Sequence, residues 1–434
     1  MKIAIIGTGY VGLTTGACLA NLGNDVICID NNEAKIKRLL GGDMPFYEPG
    51  LDELVKLNVK ENRLSFSTDI KLAVEKSEVI FICVNTPPKE NGEADLSSVE
   101  NVSESIASHL DSYRLIVEKS TVPVETGEWV RKTIRANVKP GVEFDVASNP
   151  EFLREGSAIY DFMNPDRVVL GVESERAEKI LRDVYKPLST TVVVTDIRSA
   201  EIIKHASNSF LASKISFINL ISRICDEAGA DVTKVAEGIG LDKRIGKEFL
   251  KPGVGFGGFC FPKDLAAFVR IGEKLGIDMT MLQSVNDVNE TQKKYFVKKI
   301  EKHMWNLKNK TVGVLGISFK PDTDDVRFAP SIDIIRMLEK EGVQVKAFDP
   351  QAMENVRSLL NGTIYAKDPY EVAEGAEALI ILTDWNEFKQ LDFERIKGLM
   401  KTPLIFDGRN IYSPEKMQEL GFEYISIGRK AVTN

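Results

Sequence analysis

Histidine is scarce in this chain: three in 434 residues (His109, His205 and His303), far apart. The five cysteines show none of the paired Cys or Cys/His spacings that zinc sites use, so no metal is expected. Lys plus Arg total 56 and Asp plus Glu 64, a net charge of −8, with no block of like charge. Neither a nucleic-acid nor a membrane partner is expected from that balance. No apolar run is long enough to cross a bilayer. Met1-Lys2 leads straight into a strand pattern, so no signal peptide is expected. Cys18, Cys28, Cys83 and Cys225 fall in apolar-periodic segments, where Cys is commonly buried and inert. A reducing cytoplasm is the expected setting. The remaining composition, 43% hydrophobic and 28% charged, is that of an ordinary globular protein. At about 150 residues per domain the chain makes two or three domains.

The clearest signal lies at the start. Lys2 to Ile6 reads as a buried strand, followed by Gly7-Thr8-Gly9-Tyr10-Val11-Gly12, a helix pattern to Leu22, and a second strand, Asp25 to Asp30. This G-x-G-x-x-G, set between a strand and a helix and completed by an acidic residue, is a dinucleotide-binding fingerprint. Gly7 permits the tight turn, Gly9 lets the pyrophosphate approach the backbone, and Gly12 lets helix and strand pack closely. Asp30 would accept from ribose hydroxyls and repel a 2′-phosphate, so NAD is expected rather than NADP. Lys35, Lys37 and Arg38 stand just behind it and work against that preference.

Further strands are expected at Val79–Val84, Leu115–Val117 and Phe144–Ala147, each ending in a polar loop. Ligands of open parallel sheets sit at the carboxyl ends of the strands, so these loops should line one crevice. They contain Thr86 and Pro87, Ser120 and Thr121, and Glu151 to Gly156. Val168–Gly171 and Thr191–Val194 extend the sheet. From about Ser199 a long helix runs to about Gly229, and helical pattern continues to about Leu307. A second strand–helix–strand unit opens at Thr311–Gly316 and ends at Asp349, with strands at Ala378–Leu382 and Leu404–Phe406. Its glycine fingerprint is incomplete, which favours another nucleotide-like ligand over a second dinucleotide. Lys320, Arg327 and Arg409 fall in loops after strands, either to hold phosphates or as surface charge. The fold expected is α/β: two Rossmann-like parallel-sheet domains (1–198 and 308–434) joined by a long central helix and a mostly helical middle (199–307).

A nucleophile is offered by Cys260, in Gly253-Val254-Gly255-Phe256-Gly257-Gly258-Phe259-Cys260-Phe261-Pro262-Lys263-Asp264. Pro262 suits the first position of a helix and Asp264 its first turn. The thiol then lies beside a helix N-terminus, which favours thiolate. The alternative is a small apolar residue in a tight loop. Lys204 and Asn208 are one helical turn apart. They form either a solvated face or a pair of donors for a developing oxyanion. Glu151 and Glu155 are base candidates or plain helix-start charges. An NAD site with a reactive Cys suggests aldehyde oxidation through a thiohemiacetal and a thioester.

Over nearly its whole length the chain resembles the UDP-glucose 6-dehydrogenases of the UDP-glucose/GDP-mannose dehydrogenase family. The resemblance is carried by Gly7 to Gly12, Glu48-Pro49-Gly50-Leu51, Val84-Asn85-Thr86-Pro87, Lys119 to Pro123, Asn149 to Gly156, Gly255 to Cys260, Phe319-Lys320-Pro321 and Asp407-Gly408-Arg409. It implies Cys260 as nucleophile, Lys204 and Asn208 as the oxyanion pair, Asp264 as helper in the proton and water steps, and Thr121 and Glu151 near the substrate C6. NAD contacts are implied for Gly7, Gly9, Tyr10, Val11, Gly12, Asp30, Lys35, Thr86, Pro87, Ser120, Thr121, Glu155, Lys263 and Arg327. Substrate contacts are implied for Glu151, Phe152, Leu153, Glu155, Lys204, Asn208, Phe249, Leu250, Lys251, Gly257, Cys260, Phe319, Lys320 and Arg409. Arg244 is implied to reach the partner subunit's substrate in a homodimer packed about the central helix. The last domain is then the UDP-sugar-binding one, and the implied reaction takes UDP-glucose, two NAD and water to UDP-glucuronate and two NADH. Alternatives are UDP-N-acetylmannosamine or GDP-mannose as substrate, a two-electron hydroxy-acid dehydrogenase, or an NAD-sensing binding protein. Two residues depart from the pattern. Phe259 stands where Ser is frequent. Phe328 stands where an acidic residue usually follows Arg327, which leaves that arginine's partner open.

Overall fold

The computed structural model describes residues 1–433 of the chain, which divides into two compact units. Residues 1–207 with 266–277 form the first; residues 208–265 with 278 onward form the second.

The first unit is built on eight strands: β1 (Lys2–Ile6), β2 (Asp25–Ile29), β3 (Leu64–Ser67), β4 (Val79–Ile82), β5 (Arg114–Glu118), β6 (Phe144–Ser148), β7 (Arg167–Gly171) and β8 (Thr191–Thr195). Their order is β3-β2-β1-β4-β5-β6-β7-β8. The first six are parallel, β7 runs antiparallel to β6, and β8 runs parallel to β7. In β1, Ile3 and Ile5 enter one core cluster and Ala4 and Ile6 the other. A strand covered on both faces needs a continuous apolar run, which is why β1 and β4 lack polar alternation.

The second unit holds β9 (Thr311–Leu315), β10 (Gln344–Phe348), β11 (Ile364–Tyr365), β12 (Ala378–Ile381), β13 (Leu404–Asp407) and β14 (Glu423–Ser426). They form an all-parallel sheet in the order β11-β10-β9-β12-β13-β14. Both sheets reverse direction of progression between their first strand and their fourth, so each has a crevice at the carboxyl ends of that pair. The expected α/β fold with two Rossmann-like sheets is therefore the observed one. From Ile197 to Met304 the regular elements are helices: Ile197–Ala228, Val232–Gly240, Cys260–Lys274 and Thr280–Met304.

Three details differ from the sequence reading. The strands β3 (LSFS) and β14 (EYIS) mix polar with apolar residues and so lack an apolar run, and β11 has only two residues. The β6–β7 pair breaks the parallel pattern, and a buried sheet gives both directions the same apolar run. The third concerns the helix after the glycine-rich loop. It starts at Cys260 itself, so Pro262 is its third residue and Asp264 its fifth. Proline is tolerated there because the first four N–H groups of a helix have no intrahelical partner.

Candidate active site

In the first unit the fingerprint forms a cradle at the end of β1. Gly7 has φ +102° and donates its N–H to the Ile29 carbonyl at 2.7 Å. A Cβ on Gly12 would stand 1.8 Å from the Gly7 carbonyl oxygen, so no larger residue lets the helix Tyr10–Asn21 pack here. No side chain caps that helix at Gly9, whose N-terminal amides are suited to an anion. Asp30, just past β2, is buried, and its Oδ2 accepts from the Thr8 N–H (3.0 Å), Thr8 Oγ1 (2.7 Å) and Lys35 Nζ (2.7 Å). Burial opposes its ionisation, but the bonds from Lys35 and Thr8 prevail and hold its carboxyl below the usual range. Tyr10 and Val11 are half-buried on the first turn of the helix.

The loops after β4, β5 and β6 adjoin one another. Thr86 is buried and donates to the Thr121 carbonyl at 2.9 Å, with Pro87 exposed beside it. Ser120 Oγ donates to the Val84 carbonyl at 2.8 Å. After β6, residues 151–156 are not helical, so Glu151 and Glu155 are loop residues and not helix-start charges. Glu151 is buried; its Oε1 accepts from Lys204 Nζ at 2.8 Å and its Oε2 from the Leu153 N–H at 2.6 Å. Glu155 is half-buried. The Phe152 ring lies between two cations, with Arg167 3.6 Å and Lys204 5.4 Å from its centroid.

Lys204 and Asn208 are only 4% and 7% exposed, which removes the solvated-face reading for that helix turn. Three acids and one histidine brace these loops. Glu201 accepts the N–H groups of Glu125 and Gly127, both at 2.8 Å. His205 Nε2 donates to the Val122 carbonyl at 2.8 Å. Glu48 accepts from the Gly156 and Ala158 N–H groups at 2.6 and 2.8 Å and so anchors the loop that carries Glu151 and Glu155. Glu118 accepts the Ser120 N–H at 2.9 Å. Only Glu48 had a local signal, the Glu-Pro-Gly turn.

In the second unit, Cys260 opens its helix and is partly exposed, whereas Cys18, Cys28, Cys83 and Cys225 are buried. Burial pushes the Cys18 and Cys83 thiols up to about 12. Asp264 is buried, paired with Lys263 Nζ at 2.7 Å through Oδ1 and accepting from Asn208 Nδ2 at 2.6 Å through Oδ2. Arg409 ties three segments together, donating to the carbonyls of Leu382 (2.7 Å), Gly255 (3.3 Å) and Phe319 (3.2 Å). Lys320 Nζ lies 5.4 Å from the Phe319 ring centroid. Phe249, at φ +63°, faces Phe261 with ring centroids 6.1 Å apart; Leu250 and Gly257 are buried, and Lys251 is exposed. Arg244 is exposed and forks onto Asp242 at 2.6 Å. The partner of Arg327 is Asp325, which accepts from Nε and Nη2, both at 2.8 Å. The Phe328 side chain is exposed.

The second sheet repeats the acidic residue after its second strand, but Asp349 is occupied. Its Oδ2 accepts from the N–H groups of Ile317 (2.7 Å) and Ser318 (2.9 Å) and from the Trp385 indole (3.1 Å). Capping by Trp385 leaves this aspartate a structural role where Asp30 meets a cradle.

Profiles of the UDP-glucose/GDP-mannose dehydrogenase family match the chain in three blocks: the NAD binding domain over residues 1–189, the central domain over 198–291 and the UDP binding domain over 313–414. Among relatives, the UDP-glucose 6-dehydrogenase TuaD of Bacillus subtilis is 49% identical, over 99% of this chain and 94% of its own length. The UDP-glucose 6-dehydrogenase of Rhizobium meliloti is 47% identical over 99% of this chain and all of its own. A UDP-glucose dehydrogenase structure from Pyrobaculum islandicum superimposes with a TM-score of 0.92 at 40% identity, covering 99% of this chain and 98% of that one. The UDP-D-ManNAc dehydrogenase of Pyrococcus horikoshii gives 0.85 at 26% identity, covering 99% of each.

Proposed function

Because the chain belongs to the UDP-glucose/GDP-mannose dehydrogenase family, and is thereby an NAD-dependent oxidoreductase, we propose that it oxidises the C6 alcohol of UDP-glucose to the carboxylate of UDP-glucuronate. One observation carries the chemistry: among the described residues, Cys260 is the only cysteine that is not buried, and it opens a helix. Identities of 40–49% to proteins named for UDP-glucose, against 26% to one named for UDP-D-ManNAc, support the choice of sugar.

The cradle fits a dinucleotide. Its helix start is uncapped, its close approach at Gly12 admits no side chain, and an ionised Asp30 stands after β2. Gly7, Gly9 to Gly12, Asp30, Lys35, Thr86, Pro87, Ser120, Thr121 and Glu155 would hold NAD in the first unit; the family resemblance also assigns NAD contacts to Lys263 and Arg327. NAD supplies the hydride acceptor for both oxidations. Lys204 and Asn208 donate to the oxygen on C6 as negative charge develops there. Glu151 and Thr121 hold a water or proton near that oxygen. At the aldehyde stage Cys260 Sγ bonds to C6 and the thiol proton passes to the carbonyl oxygen, giving a thiohemiacetal. Loss of the C6 hydride to the nicotinamide acceptor, and of the hydroxyl proton to water, makes this a thioester. Water, assisted by Asp264, adds to the carbonyl; the C–S bond breaks, the thiol is restored and the carboxylate leaves. Phe152, Leu153, Arg409, Lys320, Phe319 and Phe249 to Lys251 would hold the nucleotide sugar.

We assign residues 1–198 to the cofactor, 199–307 to the Cys loop and dimerisation, and 308–434 to the UDP-sugar. A homodimer is supported by Phe210, Phe217 and Ile224, spaced by seven on one helix and 66%, 52% and 57% exposed. Arg244, fully at the surface, would reach the partner's substrate. A cytoplasmic setting is supported by the absence of disulfides among the described cysteines; among the described residues no helix is long and apolar enough to cross a membrane.

The test is NADH production over a panel of UDP- and GDP-sugars, with cofactor reduced per sugar consumed. Two NADH per UDP-glucose is the expected result. One NADH per turnover would replace the covalent route by a simple two-electron dehydrogenase, and preference for another sugar would move the chain to a sister branch.

A further inference from the structure

The residue just before the nucleophile, Phe259, has no part in the chemistry above, yet its ring meets two cations. The guanidinium of Arg327 lies 4.3 Å from the ring centroid and the ammonium of Lys263 5.5 Å from it. Both distances are within the range in which a cation is attracted to the face of an aromatic ring. The two segments are also joined through the backbone, since the Gly258 N–H donates to the Arg327 carbonyl at 2.9 Å. A Cβ on Gly257 would come 2.3 Å from the Phe328 carbonyl oxygen, so the approach is as close as the backbone allows. Phe328 accommodates it with φ +52°, a left-handed conformation uncommon for an aromatic residue.

We propose that Phe259 is a positioning residue: a ring platform that holds Arg327 and Lys263 in place for an anionic group of the dinucleotide. The assignment rests on the reading above that these two cations meet the dinucleotide. Asp325 fixes the guanidinium in its plane through two hydrogen bonds, and the ring fixes it from its face. A serine at this position has no face to offer. An arginine held only by a carboxylate edge keeps a freedom of tilt that must be lost when a phosphate is bound, and a preformed platform removes that loss. In the same way Lys263 is fixed between the ring and Asp264 Oδ1.

The experiment compares Phe259→Leu, which keeps bulk and removes the aromatic face, with Phe259→Tyr, which keeps both. NAD affinity is measured by calorimetry without any sugar, and KM for NAD and kcat are measured with UDP-glucose. Phe259→Leu should weaken NAD binding, and raise KM for NAD, by about fivefold, the size of a partly desolvated cation–π contact. Its kcat should change less than twofold, and Phe259→Tyr should restore the parent's affinity. Arg327→Lys, which loses the planar face, should weaken NAD binding in the parent, and by a smaller factor in the Phe259→Leu background. Unchanged affinity in Phe259→Leu, or additive losses in the double variant, would overturn the proposal. So would equal losses in the Leu and Tyr variants, which mark a purely structural residue. Calorimetry needs no turnover, so a parent that binds NAD but makes no NADH from UDP-glucose counts against the proposed function alone.

Discussion

Glu118 makes a quantitative test of the first unit. It ends β5, directly before the Lys119-Ser120-Thr121 loop, and its side chain is buried. Oε1 accepts the Ser120 N–H at 2.9 Å, while Oε2 has no hydrogen-bond partner. Burial pushes the carboxyl up to about 8 against the opposing bond from Ser120, and the neighbouring Glu201 adds to the rise. Glu201 is itself raised to about 7 by burial. In the unfolded chain Glu118 titrates near 4.5. Between those two values the folded protein holds a proton that the unfolded chain has released. Stability therefore falls as pH rises through this window, and the favourable contribution is whole only below the unfolded value. One proton is worth about 1.4 kcal/mol per pH unit. From pH 6 to pH 8, ending at half-titration, the loss is about 2 kcal/mol. Glu118→Gln keeps an acceptor for the Ser120 N–H and does not titrate. Urea unfolding of parent and variant at about pH 6 and about pH 8 gives the difference directly. The parent should lose about 2 kcal/mol more than Glu118→Gln between the two conditions. Parallel behaviour of the two proteins would mean that this carboxyl is solvated or already ionised, and the linkage argument would fail.

Three further outcomes follow from the assigned roles. Cys260→Ser should bind NAD like the parent while UDP-glucuronate formation falls by about a thousandfold or more, read by chromatography of products; a parental rate removes the covalent route. Lys204→Ala should lower kcat by about a hundredfold with NAD affinity within twofold, since an oxyanion donor acts mainly in the transition state; equal kinetics would leave Lys204 a structural role beside Glu151 and Phe152. Phe217→Glu, a charge in the middle of the exposed apolar stripe, should shift the protein to monomer in light scattering; an unchanged mass places the dimer contact elsewhere.

The first βαβ unit was legible from sequence because its glycines and its terminal aspartate are each required by backbone geometry at a fixed place. Gly7 must take a positive φ and Gly12 must meet a carbonyl at contact distance, and neither demand depends on the rest of the fold. The long helix Ile197–Ala228 was legible from its period, and the parallel sheets from their apolar runs. The incomplete second fingerprint was legible as well; the bond from Trp385, far along the chain, to Asp349 was not.

What the amino-acid order alone determined was thus the local chemistry: a dinucleotide cradle, a thiol after a glycine-rich loop, and a Lys and an Asn one turn apart. Tertiary structure decided which neighbours those groups receive. It buried Lys204 against Glu151, brought Asn208 to Asp264, and set the Arg327 guanidinium over the Phe259 ring. These pairings join residues up to 68 positions apart in the chain, and charge pairing across such separations has no period or motif by which a sequence could announce it.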